Sequence, residues 1–388
     1  MRRLRSLSSR RLTAILAAMV ALVATAAVAQ AALNNNPKPQ PKALDRAILD
    51  AVNAPPVDGV SARISFSNGL LPSGALPEGA ASPLLSGAKG RVWIANDGRF
   101  RLELQSERGD AQISSDGKML TVYDASAKTV YRMDLSPEKA DATKHEPATL
   151  DGVRKGLDRL AQAWTLSGAQ PTSTAERPSY TLRIAPKDDG GLLGAGELAW
   201  DAIKGVPLRA AVYAQGQSNP VLELEATSIS YGAINDDDLR VAVPSDVKAV
   251  DVAAPAGHGA KPGSPADVQG VAAVQRELGF QLAAPDKLAG LPRKEVRLVR
   301  FGGEAGALSV YGEGLGGIAV LQQKAGDAQQ GSAREQIQLP QVNIDGATGT
   351  ELATALGTMV RFERGGVEYT VLGSVPPVAA ENAARGLR

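Results

Sequence analysis

Three stretches of this 388-residue chain carry residue types that could do chemistry. Gly312-Glu313-Gly314-Leu315-Gly316-Gly317 has the Gly-x-Gly-x-x-Gly spacing that cradles a pyrophosphate when a strand precedes it and a helix follows. Here Ile318-Ala319-Val320-Leu321 follows, a strand-like run, so the spacing predicts a glycine-rich hairpin turn instead. Asp236-Asp237-Asp238 could offer carboxylates to a cation such as calcium, but three consecutive acids cannot all face one ion, and the triplet reads as the cap of an edge turn. His145, in Lys144-His145-Glu146-Pro147, and His258 are the two histidines, and neither has a second imidazole or thiolate at metal-ligand spacing. No Gly-x-Ser-x-Gly elbow, phosphate-binding P-loop or His-Glu-x-x-His helix occurs. With no cysteine in the chain, thiol nucleophiles, disulfides, thiolate zinc sites and an acylated N-terminal Cys are all excluded. The residues point to a protein without catalytic residues, cofactor or metal. Carboxylate pairs assembled by folding would be invisible at this level.

The elements that remain must then do something other than chemistry. The chain is 44% apolar, with 41 Gly and 24 Pro, a balance that argues against coiled coil and against disorder. A formal net charge of +1 and few aromatics give nucleic acid no platform. Arg2, Arg3, Arg5, Arg10 and Arg11 precede an apolar run from Leu12 to about Leu33 that ends in Ala29-Gln30-Ala31, a small-x-small site of the kind a signal peptidase accepts. Residues 1–33 therefore read as a signal peptide or N-terminal membrane anchor, and the chain as exported, either secreted or held outside the cytoplasm by that segment. The Ala-rich, weakly hydrophobic run, with Thr25 and Gln30 inside it, favours cleavage, although its length would also span a bilayer.

Ile113 to Leu135 alternates apolar and polar residues around Asp-Gly and Ser-Ala-Lys turns, as does Arg99 to Leu104 before it. That pattern is an antiparallel meander with one dry face. Further strands are predicted at 61–67, 91–95, 179–184, 196–201, 207–214 and 221–230. Helices are expected at 43–52 and 150–164, the second with Leu150, Val153, Leu157, Leu160 and Trp164 on one stripe. Strand phase places Phe100, Leu102, Leu104, Leu120, Val122, Leu182, Ile184, Leu198, Trp200, Leu222 and Leu224 on one face. Arg101, Glu103, Arg183 and Glu223 fall on the other. The stretch 69–90, with Leu70, Leu71, Leu76, Leu84 and Leu85 among Pro, Ser and Gly, has too many leucines for a free loop and too many prolines for a strand.

An Ala/Pro/Gly-rich linker follows at 253–275, because 253–267 lack any periodic apolar pattern. Beyond it, 276–388 reads as a smaller α+β domain, with strands at 295–301, 307–311, 318–322 and 336–344. A short helix at Glu351–Leu356 capped by Thr350, a hairpin turning at Arg364-Gly365-Gly366, and a terminal helix at Val378–Leu387 complete it.

The order of elements in 43–252, with Gly98-Arg99-Phe100-Arg101-Leu102-Glu103, Ser115-Asp116-Gly117-Lys118 and Val122-Tyr123-Asp124, resembles the LolA/LolB lipoprotein-carrier superfamily. The two-domain layout is also similar to that of the RseB/MucB periplasmic regulators. The resemblance implies an α+β fold: an unclosed antiparallel half-barrel covered by helices, followed by the smaller domain. It implies that the apolar face lines a cavity for a lipid or lipoprotein acyl chain, and the 69–90 leucines are the candidate lid. A carrier is the leading expectation. A sensor that regulates a membrane anti-sigma factor, docking on this membrane partner through the C-terminal domain, is the alternative, and a purely structural envelope protein is the third.

Overall fold

The computed structural model describes residues 37–71, 82–107, 109–135, 148–187, 191–241, 243–244, 246–252, 268–301, 304–326 and 339–387. The predicted signal segment, Leu76, both histidines and most of the predicted linker lie outside these residues.

The first meander forms where the turn chemistry demands it. Strands β1 (Gly59–Asn68), β2 (Ala88–Ala95), β3 (Phe100–Ser106), β4 (Gly109–Ser115), β5 (Met119–Asp124) and β6 (Thr129–Asp134) pair in order, each antiparallel to the next. Between β4 and β5 the Asp116 carboxylate accepts the amides of Lys118 and Met119 at 2.8 and 2.7 Å, and Gly117 supplies the positive φ of 88°. A second run, β9 (Arg177–Pro186), β10 (Leu193–Asp201), β11 (Pro207–Ala214) and β12 (Leu222–Tyr231), joins the first because β12 pairs with β1. Short strands β7 (Trp164–Leu166) and β8 (Gln170–Thr174) both pair with β9. Strand β13 (Lys248–Val252) adds to β6 in parallel. The result is a 13-stranded sheet with β13 at one end and β7 at the other, so it does not close on itself.

The sheet is curled. Ala175, in the turn between β8 and β9, packs against the cluster that β1 to β4 and β12 build, although β10 and β11 lie between β9 and β12 along the sheet. At about 4.8 Å per strand, a flat sheet would hold β9 and β12 roughly 14 Å apart. Curvature brings them together.

The helices cover less than the resemblance implies. Helix α1 (Leu44–Val52) packs Leu44, Ile48 and Ala51 on the β9–β10 end, and the single turn α2 (Pro83–Ser86) lays Leu84 on β1, β3 and β4. Helix α3 (Leu150–Ala163), capped by the Thr149 hydroxyl, has no buried residue and touches α1 and β7. Its predicted stripe is half-buried and belongs to none of the core clusters of the first sheet. Among the described residues the molecule is mostly β with few helices.

Asp236–Leu239 is a single helical turn, α4, whose Asp236 pairs with Arg99 at 2.8 Å. The second sheet has eight strands in the order β14-β15-β16-β17-β21-β20-β19-β18. These are β14 (Lys287–Leu288), β15 (Leu291–Phe301), β16 (Glu304–Tyr311), β17 (Ile318–Lys324), β18 (Gln341–Ile344), β19 (Ala347–Thr354), β20 (Gly357–Arg364) and β21 (Val367–Gly373). Helix α5 (Val271–Glu277) buries Val274 near Val296 and Leu298 of β15. Helix α6 (Pro377–Arg385) buries Ala380, Ala383 and Ala384 over Val360, Phe362 and Val371. The glycine-rich run 312–317 is a turn between antiparallel β16 and β17, as its following residues predict. The expected helix at Glu351–Leu356 is instead the end of β19 and its turn to β20. Six residues are too few to repay helix nucleation, whereas Leu352 pairs with Met359 in the ladder and the Thr354 hydroxyl accepts the Gly357 amide at 3.1 Å.

Candidate functional site

Register shows which residues share the concave face. Leu182, Leu198, Ala210, Leu224 and Phe66 stand side by side across β9, β10, β11, β12 and β1. The adjacent row is Ile184, Gly196, Val212, Leu222 and Asn68. Trp200 stands opposite Tyr180. On the other half, Leu104 lies between Gly90 and Ala111, Leu102 between Val92 and Ile113, and Ile113 faces Val122. Phe100 pairs with Ser115, which faces Leu120. Every predicted lining residue therefore projects from one face, and a period of two puts Arg183, Glu197, Arg209 and Glu223 on the opposite one, beside a small buried cluster of Ala195, Ala211 and Tyr213.

The side chains packed on this face gather in two places. Leu102, Leu104, Ile113, Leu224 and Ile64 form one cluster, joined by Phe100, Leu120, Val122 and Leu84. Tyr180, Leu182 and Trp200 form the other with Ala47, joined by Ile184, Leu198 and the α1 residues. Leu222 belongs to neither, and Val212 and Gly196 beside it are half-buried.

Gly196 defines the gap between the clusters. Among the described residues a Cβ placed on it would meet only the Ala211 carbonyl oxygen, at 3.8 Å, an ordinary van der Waals contact. Nothing in its backbone needs a glycine, since its φ is not in the left-handed region, and its conformational entropy cost is carried without steric reason. A glycine in a strand interior marks a place where another group can approach the sheet.

The opposite face is a charged ladder that stiffens the curve. The Arg183 and Arg209 guanidinium groups each donate to Glu197 at 2.8 Å, and the Tyr213 hydroxyl donates to the same carboxylate at 2.8 Å. Arg209 also donates to Glu223 at 2.7 Å, so one side chain links β10, β11 and β12. The Arg183 guanidinium lies 4.4 Å from the Tyr213 ring centre. Burial pushes the Glu197 carboxyl up, but the donors from Arg209, Arg183 and Tyr213 outweigh it and hold it below the ordinary glutamate value. Neighbouring Glu225 is raised, by burial first and by Glu223, against the opposing pull of Arg209. Arg101 and Glu103 form an ion pair on the same face of β3, beside Trp93.

At the end of the hollow remote from β7, Asp201 is fully buried and fully partnered. It accepts the Tyr231 hydroxyl at 2.7 Å, Arg177 at 3.0 Å and the amides of Ile203 and Lys204 at 2.8 and 2.9 Å. Burial raises its carboxyl, and these donors bring it below the ordinary aspartate value. Of the lid candidates, Leu84 is packed on the first cluster and Leu71 and Leu85 are half-buried. The Leu70 carbonyl accepts the Ala355 amide of the second sheet at 2.8 Å. Among the described residues no group of three His, Cys, Asp or Glu side chains could hold a metal ion, and no helix is long and apolar enough to cross a membrane. Gly196, Arg209 and Asp201 were not singled out by sequence. A glycine inside an apolar-alternating strand was the available signal for the first, while Arg209 and Asp201 gain their meaning only from strand order.

The fold and this face define a curled, open β half-barrel with one apolar side, followed by a second antiparallel sheet. Solved structures similar to the chain carry the names of the two groups its motifs resemble. The crystal structure of MucB in complex with MucA(peri) is 17% identical, with 89% of this chain and 97% of that one covered, at a TM-score of 0.42. The complex of Pseudomonas aeruginosa MucA and MucB is also 17% identical, covers 87% and 95%, and has a TM-score of 0.41. A LolA superfamily protein from Nitrosomonas europaea is 8% identical, covers 84% and 90%, and has a TM-score of 0.19. No protein-family model and no curated protein matches the sequence.

Proposed function

We propose that this chain is an exported, non-enzymatic binding protein that holds a lipid or lipoprotein acyl chain on the concave face of its first sheet. The observation that carries the reading is the half-buried row of Gly196, Val212 and Leu222, which has no side chain at Gly196 and lies, among the described residues, between two separate apolar clusters. An acyl chain laid along that row would bridge the clusters. Each buried methylene contributes about 0.8 kcal/mol before the costs of association. Leu84 of α2 already rests on the first cluster and would act as a cover that yields to the ligand. Export rests on the basic, then apolar, N-terminal segment.

The test is native mass spectrometry of the protein purified without detergent, followed by organic extraction. The expected result is a mass adduct that extracts as an acyl-bearing lipid. Purely apo protein that also fails to take up palmitate or a diacyl lipid would refute the reading. A second reading, a sensor whose second sheet docks on a membrane protein, is favoured by one observation: the loops at the rim of the hollow are bonded to that second sheet.

A further inference from the structure

The two halves of the chain meet at the rim of the hollow, through backbone. The Leu192 amide, just before β10, donates to both the carbonyl and the hydroxyl of Ser374 at the end of β21, at 2.9 and 3.0 Å. The Ala355 amide, in the β19–β20 turn, donates to the Leu70 carbonyl at 2.8 Å. Ser374 in turn donates its hydroxyl to Leu356 at 2.8 Å, so both contacts fall on one end of the second sheet.

Each contact is a short step from the proposed site. Leu222 pairs with Asn68, whose side chain accepts the Leu70 amide at 3.0 Å, and the Gly69 amide donates to Val221 at 2.7 Å. On the other side, the Leu192 carbonyl accepts the Gln215 amide at 2.8 Å and Leu193 pairs with Ala214, two residues along β11 from Val212. The strands that flank the open row therefore run directly into the two contacts. At the Leu192·Ser374 contact the two backbones approach closely. Gly191 has a φ of +64°, and a Cβ there would lie 1.9 Å from the Ser374 carbonyl oxygen. Only glycine permits it.

We infer that Leu192·Ser374 and Leu70·Ala355 form a two-point clamp through which an acyl chain over Gly196 loosens the second sheet from the first. The inference rests on the acyl-binding reading above. Widening the row Ile184–Leu222 moves β11 and β12 outward, and the loops they anchor move with them. The ligand has a differential effect because the clamp is intact only when those loops keep their present spacing.

Hydrogen exchange read by mass spectrometry tests this at the donors themselves, the Leu192 and Ala355 amides. Palmitate is the probe. In the full chain, palmitate is expected to raise exchange at both amides, and Gly191→Val is expected to do so with no lipid present. Gly191→Ala, whose Cβ also meets the Ser374 carbonyl oxygen, serves the same purpose should Gly191→Val fail to fold. Folded clamp variants with unchanged exchange at both amides overturn the clamp. A palmitate adduct that leaves both amides unchanged overturns the coupling while sparing the binding site. Absence of any palmitate adduct overturns the binding reading and the coupling together, and the variant data then still show whether the clamp exists.

Discussion

Asp201 at the end of β10 and Tyr231 at the end of β12 share a 2.7 Å hydrogen bond across β11, the strand that separates them. The Arg177 guanidinium of β9 donates to the same carboxylate and lies 5.2 Å from the Tyr231 ring centre. One buried charge thus gathers the ends of three strands and fixes the curl on which the hollow depends.

Asp201→Asn should therefore destabilise more than Tyr231→Phe. The first leaves Arg177 without its charged partner and disturbs two amide contacts, a loss of about 3 kcal/mol. The second removes one hydrogen bond to a charged group, about 1.5 kcal/mol. Equilibrium urea unfolding of the two variants measures the order, and equal losses would contradict the assignment.

Glu197 and Glu225 sit in one ladder with pKa shifts of opposite sign. Glu197 is held below its ordinary value, so its contribution is complete above about pH 4.3 and is lost as pH falls further. Glu225 is raised, so the folded state favours its protonated form and loses stability as pH rises through that raised value. Glu197→Gln is expected to lower the melting temperature at pH 7 and to flatten the acid limb. Glu225→Gln is expected to raise the melting temperature at pH 7. Melting curves from pH 3 to pH 8 read both signs.

Gly196→Phe places a ring in the row beside Ile184 and Val212; its Cβ meets nothing closer than 3.8 Å among the described residues, and Phe favours strands. Lipid uptake is expected to fall sharply while the melting temperature holds or rises. A variant that takes up lipid as the parent does would show that the ligand lies elsewhere.

Leu84→Ala tests the cover. Leu84 packs on the cluster of Leu102, Leu104 and Ile113, so its removal is expected to cost about 2 kcal/mol and to speed lipid exchange. Stopped-flow transfer of a fluorescent fatty acid to vesicles reads the rate.

Much of the first sheet was legible because its strands alternate and its turns carry Asp-Gly chemistry. Leu102 and Val122 could be given a face from phase alone, and register agrees. Two things were not legible. The stripe on α3 has helical period, yet period says only that a face is apolar, not that a core is waiting beneath it. Glu351–Leu356 has good helix formers, but Leu352 found a partner in Met359, a long-range pairing that local propensity does not contain. Gly196 was read as the start of a strand, and its importance comes from the missing side chain rather than from any residue present.

The measurement that bears most directly on the central claim is photocrosslinking with a diazirine-bearing palmitate, followed by peptide mapping. Saturable labelling of Ile184, Val212 or Leu222, abolished in Gly196→Phe, is the expected result. Labelling confined to the charged face around Arg209, or to the second sheet, would contradict it.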